Sequence, residues 1–137
     1  MKHLYLFLCL FAMALSAHSQ NDLKLMSYNI RNAKGMDNVR NVQRIVNVIN
    51  NEAPDVVAVQ ELDSMTTRSN QTFVLAEVAE RTQMHASYAP AIDFQGGKYG
   101  IGILSKDKPL DIQTYPLPGR EEKRMLMVAE FKDYFFA

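Results

Sequence analysis

The run Pro54-Asp55-Val56-Val57-Ala58-Val59-Gln60-Glu61 restricts the fold more than any other stretch of the chain. Val56 to Val59 are apolar without alternation and mostly β-branched, which reads as a short strand buried on both faces, entered through a Pro-Asp turn. The run ends on an amide and a carboxylate, so Glu61 stands where a buried strand reaches its rim. There the strand fixes the backbone and leaves the side chain free to act. A second strand candidate, Leu23 to Ile30, ends on polar Asn29. If these two strands are neighbours, Asn29 and Glu61 share one rim and offer oxygens to a hard cation.

The first residues have a different character. Met1-Lys2-His3 is followed by an uncharged run from Leu4 to Leu15 and then by Ser16-Ala17-His18-Ser19. A cationic head, an apolar stretch too short for a bilayer and small residues near a cleavage point predict a signal peptide over residues 1–19. The protein is then expected to be exported, periplasmic or extracellular, with no integral membrane segment after cleavage. Cys9 lies inside the apolar run, away from the cleavage point, so lipid modification is not expected. The 15 basic and 15 acidic residues balance, and cleavage removes only Lys2 among them. A net charge of about −1 gives no electrostatic trap for polyanions, so non-specific nucleic-acid binding is not indicated. Cys9 is also the one cysteine. The mature chain therefore has neither a disulfide framework nor a thiolate metal site. Residues 20–137 suit one domain with one core.

After the first strand, Arg31 to Asn38 is a polar loop whose Asp37 and Asn38 are natural helix caps. Val39, Val42, Ile45, Val46 and Ile49 then recur at spacings of three and four, which predicts an amphipathic helix packed on a sheet. Leu62 to Gln71 lacks an apolar period and reads as a loop at the rim. Asn70 or Thr72 is expected to cap a second helix, with Phe73, Val74, Ala76, Val78 and Ala79 on its buried face up to about Gln83. His85 to Phe94 and Tyr99 to Ser105 read as a hairpin joined at Gln95-Gly96-Gly97-Lys98, because paired glycines admit positive φ. Gly100 and Gly102 lie on one face of the returning strand, admitting either a ligand or close packing. Leu110 to Tyr115, Met125 to Phe131 and Tyr134 to Ala137 complete about seven strands, with a charged run, Arg120 to Arg124, among the connections. Two helices with these strands predict an α+β, layered α/β architecture.

Taken together, Ser27-Tyr28-Asn29-Ile30, Pro54 to Glu61 and Tyr99-Gly100-Ile101-Gly102-Ile103-Leu104-Ser105 resemble the endonuclease/exonuclease/phosphatase superfamily, in the family's order and across essentially all of the mature chain. The resemblance implies a four-layer α/β/β/α sandwich with mixed sheets and hydrolysis of a phosphate ester assisted by Mg²⁺ or Mn²⁺. It makes Glu61 the direct carboxylate ligand and Asn29 the amide that orients the metal's shell or the phosphate. Mg²⁺ takes few protein oxygens and keeps waters for substrate to displace, which agrees with that pairing. Asp63 is a candidate base standing behind the metal's direct ligands, or a loop cap. Arg124, two residues after Glu122, resembles the family's Glu-x-Arg before this strand and is a candidate for phosphate or scaffolding. Arg31 reads as a solvated arginine and His85 as structural. Tyr99 falls one position from the tyrosine that some members use, so no role is carried over to it.

In the family, a strand like Tyr134 to Ala137 is followed by Thr-His, Asp-x-Asn and Asp-His groups that hold and ionise the attacking water. This sequence contains none of them, so the chain is expected to be the N-terminal portion of a longer domain and inactive alone. The expected partner is a phosphate-ester substrate: nucleic acid, a phospholipid head group or a sugar phosphate. The alternative is an exported, non-catalytic binding or interaction module on a hydrolase-like scaffold.

Overall fold

The computed structural model describes residues 22–119 and 122–137, so the signal-peptide reading and Arg120-Glu121 lie outside the described residues. A four-stranded sheet has the order β1-β2-β4-β3, with β1 at Leu25–Asn29, β2 at Val56–Ser64, β3 at His85–Phe94 and β4 at Gly97–Ser105. β1 runs parallel to β2 and the other pairs are antiparallel, so this sheet is mixed. A second, antiparallel sheet has β5 (Asp111–Leu117), β6 (Arg124–Glu130) and β7 (Phe135–Phe136) in that order. Helices α1 (Val42–Glu52) and α2 (Val74–Thr82) cover the far face of the first sheet. Among the described residues the layers are helix, sheet, sheet, and no helix is long and apolar enough to cross a membrane.

The helix α1 buries Val42, Ile45, Val46 and Ile49, the apolar positions spaced three and four apart. Its cap is Asn41, whose side chain accepts from the Arg44 N–H at 3.4 Å. The expected caps Asp37 and Asn38 sit outside the helix, and Val39 is exposed rather than buried. The cause is an antiparallel bridge between Lys34 and Arg40, which holds the intervening residues as a loop. Asp37 caps that loop instead, accepting from the Val39 N–H at 3.0 Å and pairing with Arg44 at 2.8 Å.

α2 buries Val74, Leu75, Val78 and Ala79, with Ala76 exposed and Phe73 at the cap without a side-chain hydrogen bond. Neither Asn70 nor Thr72 caps it. A bridge from Ser64 to Phe73 and a hydrogen bond from the Met65 N–H to the Thr72 carbonyl keep the approach extended. Asn70 closes a short 3-10 turn over Thr67–Ser69. The hairpin between β3 and β4 turns within the expected four residues, but its two left-handed positions are Gln95 (φ 47°) and Gly96 (φ 80°) rather than the paired glycines, and Gly97 opens β4.

The glycines of β4 serve packing. A Cβ on Gly102 would stand 2.5 Å from Leu75 Cδ2 and 2.8 Å from Leu62 Cδ1, and one on Gly100 would stand 2.1 Å from the Ala89 carbonyl oxygen. Glycine at 102 lets α2 lie close on the sheet, and glycine at 100 lets the backbone of β3 approach. Leu62, Val59, Val57, Leu75 and Leu104 meet between helices and sheet, and each such buried aliphatic side chain contributes roughly 1.5–3 kcal/mol.

Candidate active site

The strand β2 continues three residues beyond Glu61, where the sequence reading expected a loop, and the reason lies in its register. Val59 pairs with Gly102, yet Leu62 pairs with Gly100, so one extra residue is accommodated between Val59 and Leu62. This is a β-bulge, and Glu61 occupies it with φ 59°. Val57 and Val59 face the helices, and in a regular strand Glu61 would follow them into that core. The bulge shifts the alternation so that Leu62 takes the core position and Glu61 turns to the opposite face. A left-handed backbone at a non-glycine residue costs about 1–2 kcal/mol. The strain coincides with the re-aimed carboxylate.

On that face Glu61 meets Asn29. The two parallel strands place Asn29 beside Gln60, and Asn29 Nδ2 donates to Glu61 Oε1 at 2.8 Å. The other end of the amide is held too, because the Arg31 N–H donates to Asn29 Oδ1 at 2.9 Å. Arg31 enters a left-handed stretch, with φ of 46° at Arg31, 46° at Asn32 and 65° at Ala33. The amide is therefore oriented from both sides and fixes the Glu61 carboxylate. Glu61 keeps its second oxygen clear of these bonds.

Asp63, the candidate base or loop cap, lies in an ion pair. It is fully buried, and both of its oxygens are taken by Arg68, from Nε at 2.7 Å and Nη2 at 2.8 Å. The guanidinium lies over the Phe94 ring at 4.4 Å and near the Tyr99 ring at 5.3 Å. The Asp63 hydrogen bonds raise the affinity of Arg68 for its proton, and the Glu61 charge adds a smaller push in the same direction. Burial, and then the charge of Glu61, raises Tyr99 above its ordinary value. Tyr88, on the helix side, is pushed up to about 12, first by burial and second by Asp63. Both phenols therefore stay protonated at neutral pH.

The remaining candidates are dispersed. Arg124 is exposed at the first position of β6, and none of the ion pairs among the described residues includes it. The Arg31 guanidinium folds back on its own loop, toward the Gly35 carbonyl and the Asn38 side chain. His85 is exposed at the start of β3. Among the described residues no three His, Cys, Asp or Glu side chains gather as a metal cluster. One carboxylate with an amide beside it is what the described residues bring together at this rim.

Residues 26–135 match the model of the endonuclease/exonuclease/phosphatase family. The chain belongs to that family. Its members are hydrolases acting on phosphate esters. The fold is similar to the crystal structure of an endonuclease/exonuclease/phosphatase from Beutenbergia cavernae DSM 12333, at 24% identity and TM-score 0.65, covering 78% of this chain and 33% of that one. It is also similar to an endonuclease/exonuclease/phosphatase family protein from Leptotrichia buccalis C-1013-b, at 12% identity and TM-score 0.62, covering 79% of this chain and 49% of that one. The chain thus spans between a third and a half of these neighbours. Among curated proteins none matches the sequence.

Sequence reasoning missed Arg68, which it placed in a featureless loop. The signal was Asp63, because a carboxylate in a strand that stays buried needs a cationic partner, and Arg68 is the first cation after it.

Proposed function

We propose that this chain supplies the metal-ligand side of a Mg²⁺- or Mn²⁺-dependent phosphoesterase site in an exported protein. The observation that carries the reading is the 2.8 Å hydrogen bond from Asn29 to a Glu61 carboxylate turned onto the free rim by a strained bulge. The donor set suits a small hard cation, which binds through one or two carboxylates and retains several waters. When bound, such an ion stabilises negative charge on a phosphoryl group and lowers the pKa of water. Glu61 would hold it through the oxygen that Asn29 leaves free. Asn29 fixes the direction of the carboxylate, so the ligand geometry exists before the ion arrives. Asp63, committed to Arg68, acts on the site through that arginine.

Among the described residues Asp63 is committed to Arg68 and no three His, Cys, Asp or Glu side chains gather at Glu61, so residues 20–137 alone are expected to show little or no turnover of a phosphodiester. The test is Mn²⁺ binding by the chain, followed by paramagnetic resonance, with Glu61→Gln and Asn29→Ala beside it. Glu61→Gln should abolish saturable binding, and Asn29→Ala should weaken it roughly ten-fold, as loss of an orienting partner does. Unchanged Mn²⁺ affinity in Glu61→Gln overturns the reading and favours a non-catalytic binding module on this scaffold.

A further inference from the structure

The Arg68 cluster contains more than is needed to neutralise a buried carboxylate. Asp63 engages Nε and one edge of Nη2, and among the described residues Nη1 finds no acceptor. The side chain as a whole is 29% exposed, so the edge that Asp63 leaves uncovered has access to solvent. Its position is fixed from below by Asp63, from the sides by Phe94 and Tyr99, and through the backbone by the hairpin turn. Gln95 Oε1 accepts from the Arg68 N–H at 3.2 Å, and the Gln95 carbonyl accepts from the Thr67 N–H at 2.9 Å.

The cluster also faces the right way. Leu25 and Ser27 line the groove between the sheets, and Asn29 shares their side of β1. Ile101 and Ile103 line the same groove, and Tyr99 shares their side of β4. Tyr99 pairs across the ladder with Asp63, two residues beyond Glu61 and hence about 7 Å along the strand. Asn29, Glu61, Tyr99 and the Asp63–Arg68 pair therefore occupy one face at one end of the sheet. The Glu61 charge is felt at both Arg68 and Tyr99, which agrees with that proximity.

We propose that Arg68 is an anion-binding residue of the Glu61 site, presenting its free Nη1 edge to a non-bridging oxygen of the substrate phosphoryl group, with the Tyr99 hydroxyl as a second donor. This rests on the phosphoesterase reading of that site. A guanidinium locked on one edge by a carboxylate loses little freedom when it takes an anion on its other edge. Asp63 is then a positioning residue, and Phe94 and Tyr99 keep the fork in plane.

The experiment is binding of inorganic phosphate and of dimethyl phosphate, followed by ³¹P relaxation, in the chain and in three variants. Asp63→Leu/Arg68→Met removes the buried pair together, so no uncompensated charge is left behind. It should weaken phosphate binding at least about ten-fold, the loss expected for a charge-assisted hydrogen bond. Arg68→Lys keeps the ion pair and spends its single ammonium on Asp63, so it should show the same loss, and it remains informative if the double variant does not fold. Tyr99→Phe should lose two- to three-fold. Mn²⁺ affinity should stay within two-fold throughout. Stronger binding of either anion keeps the assignment and tells monoester from diester preference. Phosphate affinity unchanged in a folded Arg68→Lys or double variant overturns the proposal. That outcome is separate from Glu61→Gln retaining Mn²⁺, which overturns the metal reading on which the substrate assignment rests, while phosphate binding through Arg68 is read on its own.

Discussion

The two faces of the four-stranded sheet are built differently. On the helix face, Ile45, Val46, Ile49, Leu62, Val74, Leu75, Val78 and Leu104 interlock and are almost completely buried. On the face toward the second sheet, Val56, Ala89, Ile103, Met127, Ala129 and Phe131 close only part of the layer. Beside them runs a groove of about 570 Å³ lined by Leu25, Ala58, Ile101, Met125 and Phe136 among others. The candidate site stands at the end of this open face. One face of the sheet thus carries most of the packing, while the other presents the candidate site. Glu61 belongs to the second only because a bulge moves it there.

The largest test of that contrast is truncation on each face. Leu75→Ala should lower the unfolding free energy by about 2–5 kcal/mol, because the tightly held surroundings cannot collapse into the cavity. Met125→Ala, half-buried beside the groove, should cost about 1 kcal/mol or less in the same urea titration. Equal losses would mean that the two faces are equally consolidated.

Gly102→Ala tests the closeness of the helix layer. Its methyl group would press on Leu75 and Leu62, so a loss of about 1–3 kcal/mol is expected, with the groove lining unaffected. A neutral outcome would show that α2 can retreat freely.

The bulge is tested by comparing Glu61→Ala with Glu61→Gly, since both remove the carboxylate. In a regular strand alanine is the more stable of the two by roughly 0.5–1 kcal/mol. With φ at 59° the order should reverse, with glycine ahead by about 1 kcal/mol in thermal or urea unfolding. Alanine ahead would show that Glu61 is unstrained.

The smallest effect belongs to Asp55, at the opposite end of the sheet from the site. Its carboxylate accepts from Lys106 Nζ at 2.8 Å and from the Lys24 N–H at 2.8 Å, tying the start of β2 to its neighbours. The Lys106 hydrogen bond, with the Lys24 N–H second, lowers its pKa below the usual 3.8. A depressed carboxylate stabilises the fold above its unfolded pKa, and this stabilisation is lost as pH falls through the folded value. Asp55→Asn should therefore flatten the stability profile below about pH 4, by less than about 1 kcal/mol because the pair is solvated. An unchanged acid limb would remove Asp55 from the account.

Much of this was legible from local pattern. Val56 to Val59 had to be a buried strand, the spacing of Val42, Ile45, Val46 and Ile49 had to be one helix face, and Gln95 to Lys98 had to contain a tight turn. Each is a statement about residues close in sequence, where periodicity and backbone freedom act directly. The meeting of Asn29 with Glu61 followed once their strands were taken as neighbours.

What pattern could not settle were choices among local options of similar energy. Asp37, Asn38 and Asn41 are all good helix caps, and the bridge between Lys34 and Arg40 selects Asn41. Leu62 to Ser64 looked like loop because the bulge breaks the alternation by which a strand is read, and only pairing with β4 restores it. The partner of Asp63 was equally hidden, since burial depends on what Phe94 and Tyr99 bring from another hairpin. Local pattern was enough for the two helices, most of each strand and the rim carboxylate. The tertiary structure decided which face that carboxylate occupies and which arginine stands beside it, because both depend on register between strands distant in the chain.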